Sequence, residues 1–188
     1  MKKRKELGQH FLVSPAIAKT IVGSLQLTED DLVLEIGTGK GILIPFLCKE
    51  AKNVISIETD KELFLQTKAK FSHLTNLSLL HGDGFKSKSK FTVFVSNLPY
   101  SKSRKAMEWL IQKKFSRAVV MVQKEFAEKL VTKSGKNRKA ISILTSYAAE
   151  IEYLQDVKKG NFVPEPKENS SIIRLTQKRI ISEELVHL

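Results

Sequence analysis

The stretch FVSNLPYSKS, Phe94 to Ser103, begins as an apolar run and ends in cations, with Asn97, Leu98, Pro99 and Tyr100 at the junction. That set of residue types suits work on a nucleobase amine. An exocyclic amine on adenine or cytosine is a poor nucleophile, because its lone pair is delocalised into the ring and its nitrogen is held planar. Two acceptors overcome this: the Asn97 side-chain oxygen and a backbone carbonyl in the 97–99 turn would each take one amine hydrogen and localise the lone pair toward an electrophile. Pro99 fixes the turn and biases Leu98 toward extended backbone, which keeps its carbonyl aimed outward. Tyr100 offers a ring on which an unstacked base can lie. A plain Asn-Pro turn capping a strand accounts for Asn97 and Pro99 but leaves the exposed aromatic unexplained. The four histidines are not spaced as a metal site or a catalytic triad.

The donor to such an amine is suggested by EIGTGKG, which places Gly37, Gly39 and Gly41 directly after an apolar run and before a helical pattern. Glycines there let backbone amides approach a ligand closely. A dinucleotide fingerprint needs its third glycine at position 42, which is Ile, and a phosphate-binding loop needs Ser or Thr at 41, which is Gly. Both phosphate readings weaken, and a nucleoside site remains. Glu58, twenty-one residues after Gly37, suits a carboxylate chelating ribose hydroxyls. Asp83, in HGDG, suits an acceptor for an adenine amino group. Each has a plainer alternative, Glu58 as an acid at the start of the next helix and Asp83 as a turn former. Adenosine without phosphates points to S-adenosylmethionine, whose sulfonium is positive and wants no pyrophosphate cradle. Its methyl group would pass directly from sulfur to nitrogen, so no histidine or cysteine nucleophile is needed, and Asn97 accepts without setting a charge beside the sulfonium.

These residues need strand ends to hold them. The runs 31–37, 53–58, 77–83, 91–97 and 117–123 are short, rich in Val, Ile, Leu and Phe, and each ends in a small or polar residue. They read as buried parallel strands. Helical patterns over 41–51, 60–71 and 103–114 alternate with them, which predicts a mostly parallel sheet covered on both faces. After 123 the rhythm changes: KEFAEKLV and KAISILTSYAAEI read as helices, whereas EYLQDVK and SSIIRLTQ read as an antiparallel pair at one edge. The expected fold is therefore α/β, a Rossmann-like methyltransferase sheet of seven strands with helices on both faces and an antiparallel edge.

With 188 residues and 41% hydrophobic content the chain is long and apolar enough for one folded domain rather than a disordered chain. Its net charge of +12 favours a polyanionic partner, nucleic acid first and anionic membrane second. The cations cluster at 2–5, 86–90, 101–105, 113–117 and 133–139, from which a continuous basic stripe is inferred. The one cysteine, Cys48, cannot form an internal disulfide and reads as a small buried hydrophobe in a reducing compartment. No apolar stretch has the length of a membrane span and no signal-peptide core follows the first lysines, so a cytoplasmic location is expected. Without a heptad or a long exposed apolar stripe, a monomer is expected.

Taken together, LGQHFLVSP (7–15), LEIGTGKGIL, ISIETD, GDG, VSNLPYS, VQKEFAEKLV and FVPEPKENSSIIRL make the chain resemble the ribosomal RNA adenine N6-dimethyltransferases over roughly residues 6 to 176. That family includes the dimethyladenosine transferases of small-subunit rRNA and the erythromycin-resistance methyltransferases of large-subunit rRNA. The resemblance implies that Gln9, His10 and Leu12 border the methionine end of the cofactor. It implies further that Gly37, Gly39, Glu58, Asp83 and Asn97 contact the cofactor, and that Phe162 sets a second aromatic against the target base. Composition by itself reads Phe162 as a satellite core residue and His10 as a structural histidine in an arm, and both alternatives stand. The family commonly shows Asn-Ile-Ser after the catalytic turn, where this chain has Ser101, Lys102, Ser103 and Arg104, and the loop that often carries Tyr-Gly-Arg is KNRKAIS. Both departures bear on the choice of RNA. The resemblance implies a catalytic domain over 1–177 with a basic arm at 1–15 and a short tail at 178–188, without the small helical domain the family usually appends. The expected activity is dimethylation of adenine in small-subunit rRNA during ribosome biogenesis. Two other readings share the fold: a non-catalytic rRNA-binding assembly or transcription factor, and a large-subunit resistance methyltransferase.

Overall fold

The apolar runs of the first half lie side by side in the computed structural model, which describes residues 9–97, 99–132 and 139–186. Strands β2 (Leu32–Ile36), β3 (Asn53–Glu58), β4 (Leu77–His81), β5 (Val93–Ser96) and β6 (Arg117–Gln123) pair in parallel. With β7 (Ala149–Val157) and β9 (Ser170–Gln177) they form a seven-stranded sheet in the order β4-β3-β2-β5-β6-β9-β7. The antiparallel edge pair expected from EYLQDVK and SSIIRLTQ is present, and β9 is its antiparallel member against both β6 and β7. The chain from β7 to β9 holds no crossover helix, and β9 returns antiparallel. A separate two-stranded ribbon joins β1 (Phe11–Leu12) to β8 (Phe162–Val163).

Helices α1 (Pro15–Ser24), α2 (Ile44–Glu50), α3 (Lys61–Lys70), α4 (Ser103–Leu110), α5 (Lys124–Val131) and α6 (Ala140–Ala148) lie between strands, and α7 (Glu183–Val186) follows β9. Caps set several boundaries. Ser14 accepts from the Ile17 amide ahead of α1, and Asp60 accepts from Glu62 and Leu63 ahead of α3. The helix predicted from 41 starts only at Ile44, because Gly41 is held at a φ of 74° and Pro45 suits a first turn. The helix predicted through 151 ends at Ala148, where pairing of Ala149 with Gln177 takes the chain into β7.

Period-two alternation sorts the strand residues to two cores. Leu34, Phe94, Ala118 and Val120 pack against α4, α5 and α6 on one face, while Val33, Val93, Val119 and Met121 pack against α1 and α2 on the other. Both faces are covered, hence the unbroken apolar runs. Beyond β9 the chain stays on the core: the Lys178 and Arg179 amides donate to the Ala148 carbonyl and Ile181 is buried. Cys48 is half-buried, and burial, with Glu35 adding, pushes its thiol up to about 11, which leaves it an unreactive hydrophobe. Arg117 and Asp31 meet at 2.6 Å at the amino ends of β6 and β2. No helix among the described residues is long and apolar enough to cross a membrane.

Candidate active site

The order of the strands reverses between β2 and β5, and ligands of such sheets bind above the carboxyl ends of the strands at that point. A cleft of about 500 Å³ opens there, a size suited to a small-molecule site. It brings together Gln9, Gly37, Gly39, Glu58, Asp83 and Asn97.

The chain leaves β2 through Gly37, at a φ of 88°, whose amide donates to the Ile57 carbonyl at 2.9 Å and so pins the turn to β3. Gly39, at a φ of 55°, lies against the Phe11 ring, where a Cβ would sit 3.3 Å from a ring carbon. The left-handed backbone and the close ring both call for glycine. The Gly39 amide donates to Glu58 Oε2 at 2.8 Å and the Asp60 amide to Glu58 Oε1 at 2.9 Å. Glu58 therefore ties the glycine turn to the end of β3, and Asp60, not Glu58, caps α3. A carboxylate offers about four acceptor positions, so capacity remains for ribose hydroxyls.

Beneath the turn, Glu35 is fully buried and accepts from the Ser56 hydroxyl, which also bonds the Thr38 hydroxyl. Burial raises the Glu35 carboxyl to about 8, with the Ser56 bond opposing and the neighbouring Glu58 adding. Glu35 is thus a neutral acid at pH 7 in the floor of the cleft.

Asp83 does two things at once. Its Oδ1 accepts from the Phe85 amide at 3.0 Å and starts the short turn at Gly84–Lys86, while Oδ2 lies 3.6 Å from Lys105 Nζ. One oxygen thus forms the turn, and the other faces Lys105 at the cleft.

The segment before α1 reaches the cleft by way of the β1–β8 ribbon. Gln9 Oε1 is buried without a partner among the described residues, and the side chain lines the cleft. An orphaned acceptor there fits a donor such as the ammonium group of S-adenosylmethionine. His10 Nδ1 sits 2.8 Å from the Pro164 carbonyl, and its ring stacks on Tyr100 with centroids 5.7 Å apart. Leu12 is 3% exposed and pairs with Phe162.

Asn97 follows β5 directly. Ser96 Oγ donates to the Ile36 carbonyl at 2.9 Å, which fastens the end of β5 to the end of β2. The Asn97 side chain lines the cleft and no hydrogen bond among the described residues engages it. Leu98 lies outside the described residues. Pro99 lines the cleft, and its carbonyl accepts from the Lys102 amide at 2.8 Å. The Tyr100 hydroxyl meets Ser170 Oγ at 2.7 Å. Burial outweighs that bond and raises its pKa, leaving a neutral, positioned ring.

Phe162 is 2% exposed and belongs to the same buried cluster as Leu12, the strand partner it faces, which is the satellite-core placement. The buried ribbon with β1 is the reason. Among the described residues the basic groups do not all share one face: Lys102 and Lys105 line the cleft, whereas Arg117 pairs with Asp31 at the far end of the sheet. The groups at 2–5 and 133–138 lie outside the described residues. Sequence reasoning missed Glu35, Phe85 and Lys105. Phe85, an aromatic inside a basic run directly after GDG, carried a readable signal; Glu35 was hidden inside an apolar strand.

A family model described as ribosomal RNA adenine dimethylase matches residues 1–185. A ribosomal RNA small subunit methyltransferase A from Thermotoga petrophila is 38% identical over 183 residues, covering 96% of this chain and 70% of the relative. One from Thermotoga maritima is 37% identical, covering 94% of this chain and 64% of the relative. The crystal structure of a dimethyladenosine transferase from Plasmodium falciparum superposes with a TM-score of 0.85 at 32% identity, over 90% of this chain and 64% of that one. The 23S rRNA methyltransferase ErmE superposes with a TM-score of 0.83 at 26% identity, over 94% of this chain and 74% of that one. The chain thus spans about two thirds of the length of these relatives.

Proposed function

This chain belongs to the ribosomal RNA adenine dimethylase family, and we propose that it methylates the exocyclic nitrogen of adenine in small-subunit ribosomal RNA, twice on the same nitrogen. When bound, S-adenosylmethionine supplies an electrophilic methyl group on a cationic sulfur. Glu58 would hold the ribose hydroxyls, Asp83 Oδ2 the adenine amine and Gln9 Oε1 the ammonium group. Neutral Glu35 accompanies them without adding a negative charge to the floor. Asn97 Oδ1 and a backbone carbonyl of the turn accept the two hydrogens of the target amine, which aims its lone pair into the cleft. Tyr100, braced by Ser170, offers the ring face for the target base once His10 shares or yields that face. The partner on this reading is ribosomal RNA, met in the cytoplasm.

The observation that carries the proposal is the Asn97 carboxamide, unengaged among the described residues, in one cleft with Glu58 and Asp83. Small ribosomal subunits lacking the modification, incubated with radiolabelled S-adenosylmethionine and this protein, should yield labelled RNA that digests to dimethyladenosine. Absence of label from protein that binds the cofactor would overturn the enzymatic reading. Label that appears only in a parallel reaction offering large-subunit RNA would overturn the choice of target.

A further inference from the structure

We propose that Lys105 binds Asp83 while the nucleoside end of the cleft is empty and is released to an RNA phosphate when S-adenosylmethionine takes that carboxylate, so that cofactor and RNA bind cooperatively. The inference rests on the reading of Asp83 as the acceptor for the cofactor's adenine amine.

The geometry makes the two donors rivals. Asp83 Oδ1 is used by the Phe85 amide, which leaves Oδ2 as the oxygen turned to a ligand, and Lys105 Nζ lies 3.6 Å from it. The same ammonium sits 4.8 Å from the centroid of the Phe85 ring, and Asp83, Phe85 and Lys105 all line the cleft. An amine entering against Asp83 Oδ2 must displace that ammonium or share its oxygen. The Lys105 side chain is 53% exposed, so it has solvent into which to swing.

What waits outside is unfavourable to a cation without an anion. Lys102, Arg104 and Lys105 crowd the start of α4, whose first turn holds no acidic residue and whose cap makes no side-chain hydrogen bond. Cations at the positive end of a helix repel it. Arg104 is relieved by Glu108 at 2.7 Å; Lys105 is relieved by Asp83. Once Asp83 is taken, the relief left to Lys105 is an anion arriving from outside. These residues follow the 97–100 turn within one short 3-10 turn, so the strand that delivers a base to Asn97 carries its phosphates past them.

Linkage then requires that cofactor tighten RNA binding by the factor by which RNA tightens cofactor binding. An exposed ion pair of this kind supports a factor of about two to five. The test is RNA affinity of the full chain for an adenine-containing hairpin, with and without S-adenosylhomocysteine, in wild type, Lys105→Met and Lys105→Arg. Wild type and Lys105→Arg should bind RNA about two- to fivefold tighter with the ligand present. Lys105→Met should bind S-adenosylhomocysteine more tightly than wild type, lose the coupling, and lower the log-log salt slope of the ligand-loaded complex by about 0.7 to 0.9, one phosphate's worth. A variant that fails to fold would show no ligand binding, whereas this one gains it. Coupling that persists in Lys105→Met, or weaker ligand binding in it, would overturn the proposal while leaving the methyltransferase reading intact. Failure of wild type to bind the ligand at all would overturn both.

Discussion

Replacing Glu35 by Gln should raise stability at neutral pH and flatten its dependence on pH. The carboxyl has an ordinary value of 4.5 and stands at about 8 in the folded protein, because burial disfavours the charged form. Between those values the native state binds more protons than the unfolded chain, so stability is fully present below about pH 4.5 and drains away as pH rises through about 8. At about pH 5 the wild-type carboxyl costs the fold about 1 kcal/mol, and at about pH 7 about 3 kcal/mol, a loss of about 2 kcal/mol across the interval. Gln carries the same shape, does not titrate, and its carbonyl oxygen still accepts from the Ser56 hydroxyl. Urea unfolding at fixed ionic strength, repeated across that interval, isolates the effect, because every other titrating group is common to both proteins. The difference in unfolding free energy, variant minus wild type, should grow with pH by about 2 kcal/mol, a midpoint change on the order of 1 M for an ordinary slope. Two curves that run parallel across the interval would refute the reasoning, since Glu35 would then titrate alike in both states.

Asn97→Ala should lower the single-turnover methylation rate on the order of a hundredfold or more, and lower it by more than it lowers cofactor affinity; an unchanged rate would remove the acceptor argument. Asp31→Asn addresses the far end of the sheet. Burial raises the Asp31 carboxyl, but hydrogen bonds from the Thr28 amide and from the Thr92 and Thr28 hydroxyls, together with Arg117, outweigh it and hold the carboxyl below its usual 3.8. Its contribution is therefore present above that value and lost as pH falls through the lower folded one. Thermal unfolding should show the variant destabilised by about 1–3 kcal/mol at neutral pH, with the gap to wild type narrowing in strong acid; a gap independent of pH would count against the pairing.

Several features were legible before any coordinates because they follow from short-range rules. LVLEI, Glu35 apart, and the AVVMV inside RAVVMVQ are apolar on both alternating faces, as a strand covered on both sides requires. Glycines at 37 and 39 stand where the backbone turns left-handed, and Glu58, Asp83 and Asn97 each stand at or just past the carboxyl end of a strand, so their gathering at one end of the sheet follows from parallel pairing. Other features were decided by contacts far apart in the chain. His10 meets the Pro164 carbonyl across 154 residues, and the ribbon that brings them together also buries Phe162, which no local pattern announces. Strand β9 slips between β6 and β7 because pairing partners are chosen in space and not in order. The neutrality of Glu35 and the hold of Asp83 on Lys105 arise in the same way. A residue's type and its neighbours in sequence set what it can do, but how much water it keeps and which charge faces it are properties of the packed whole.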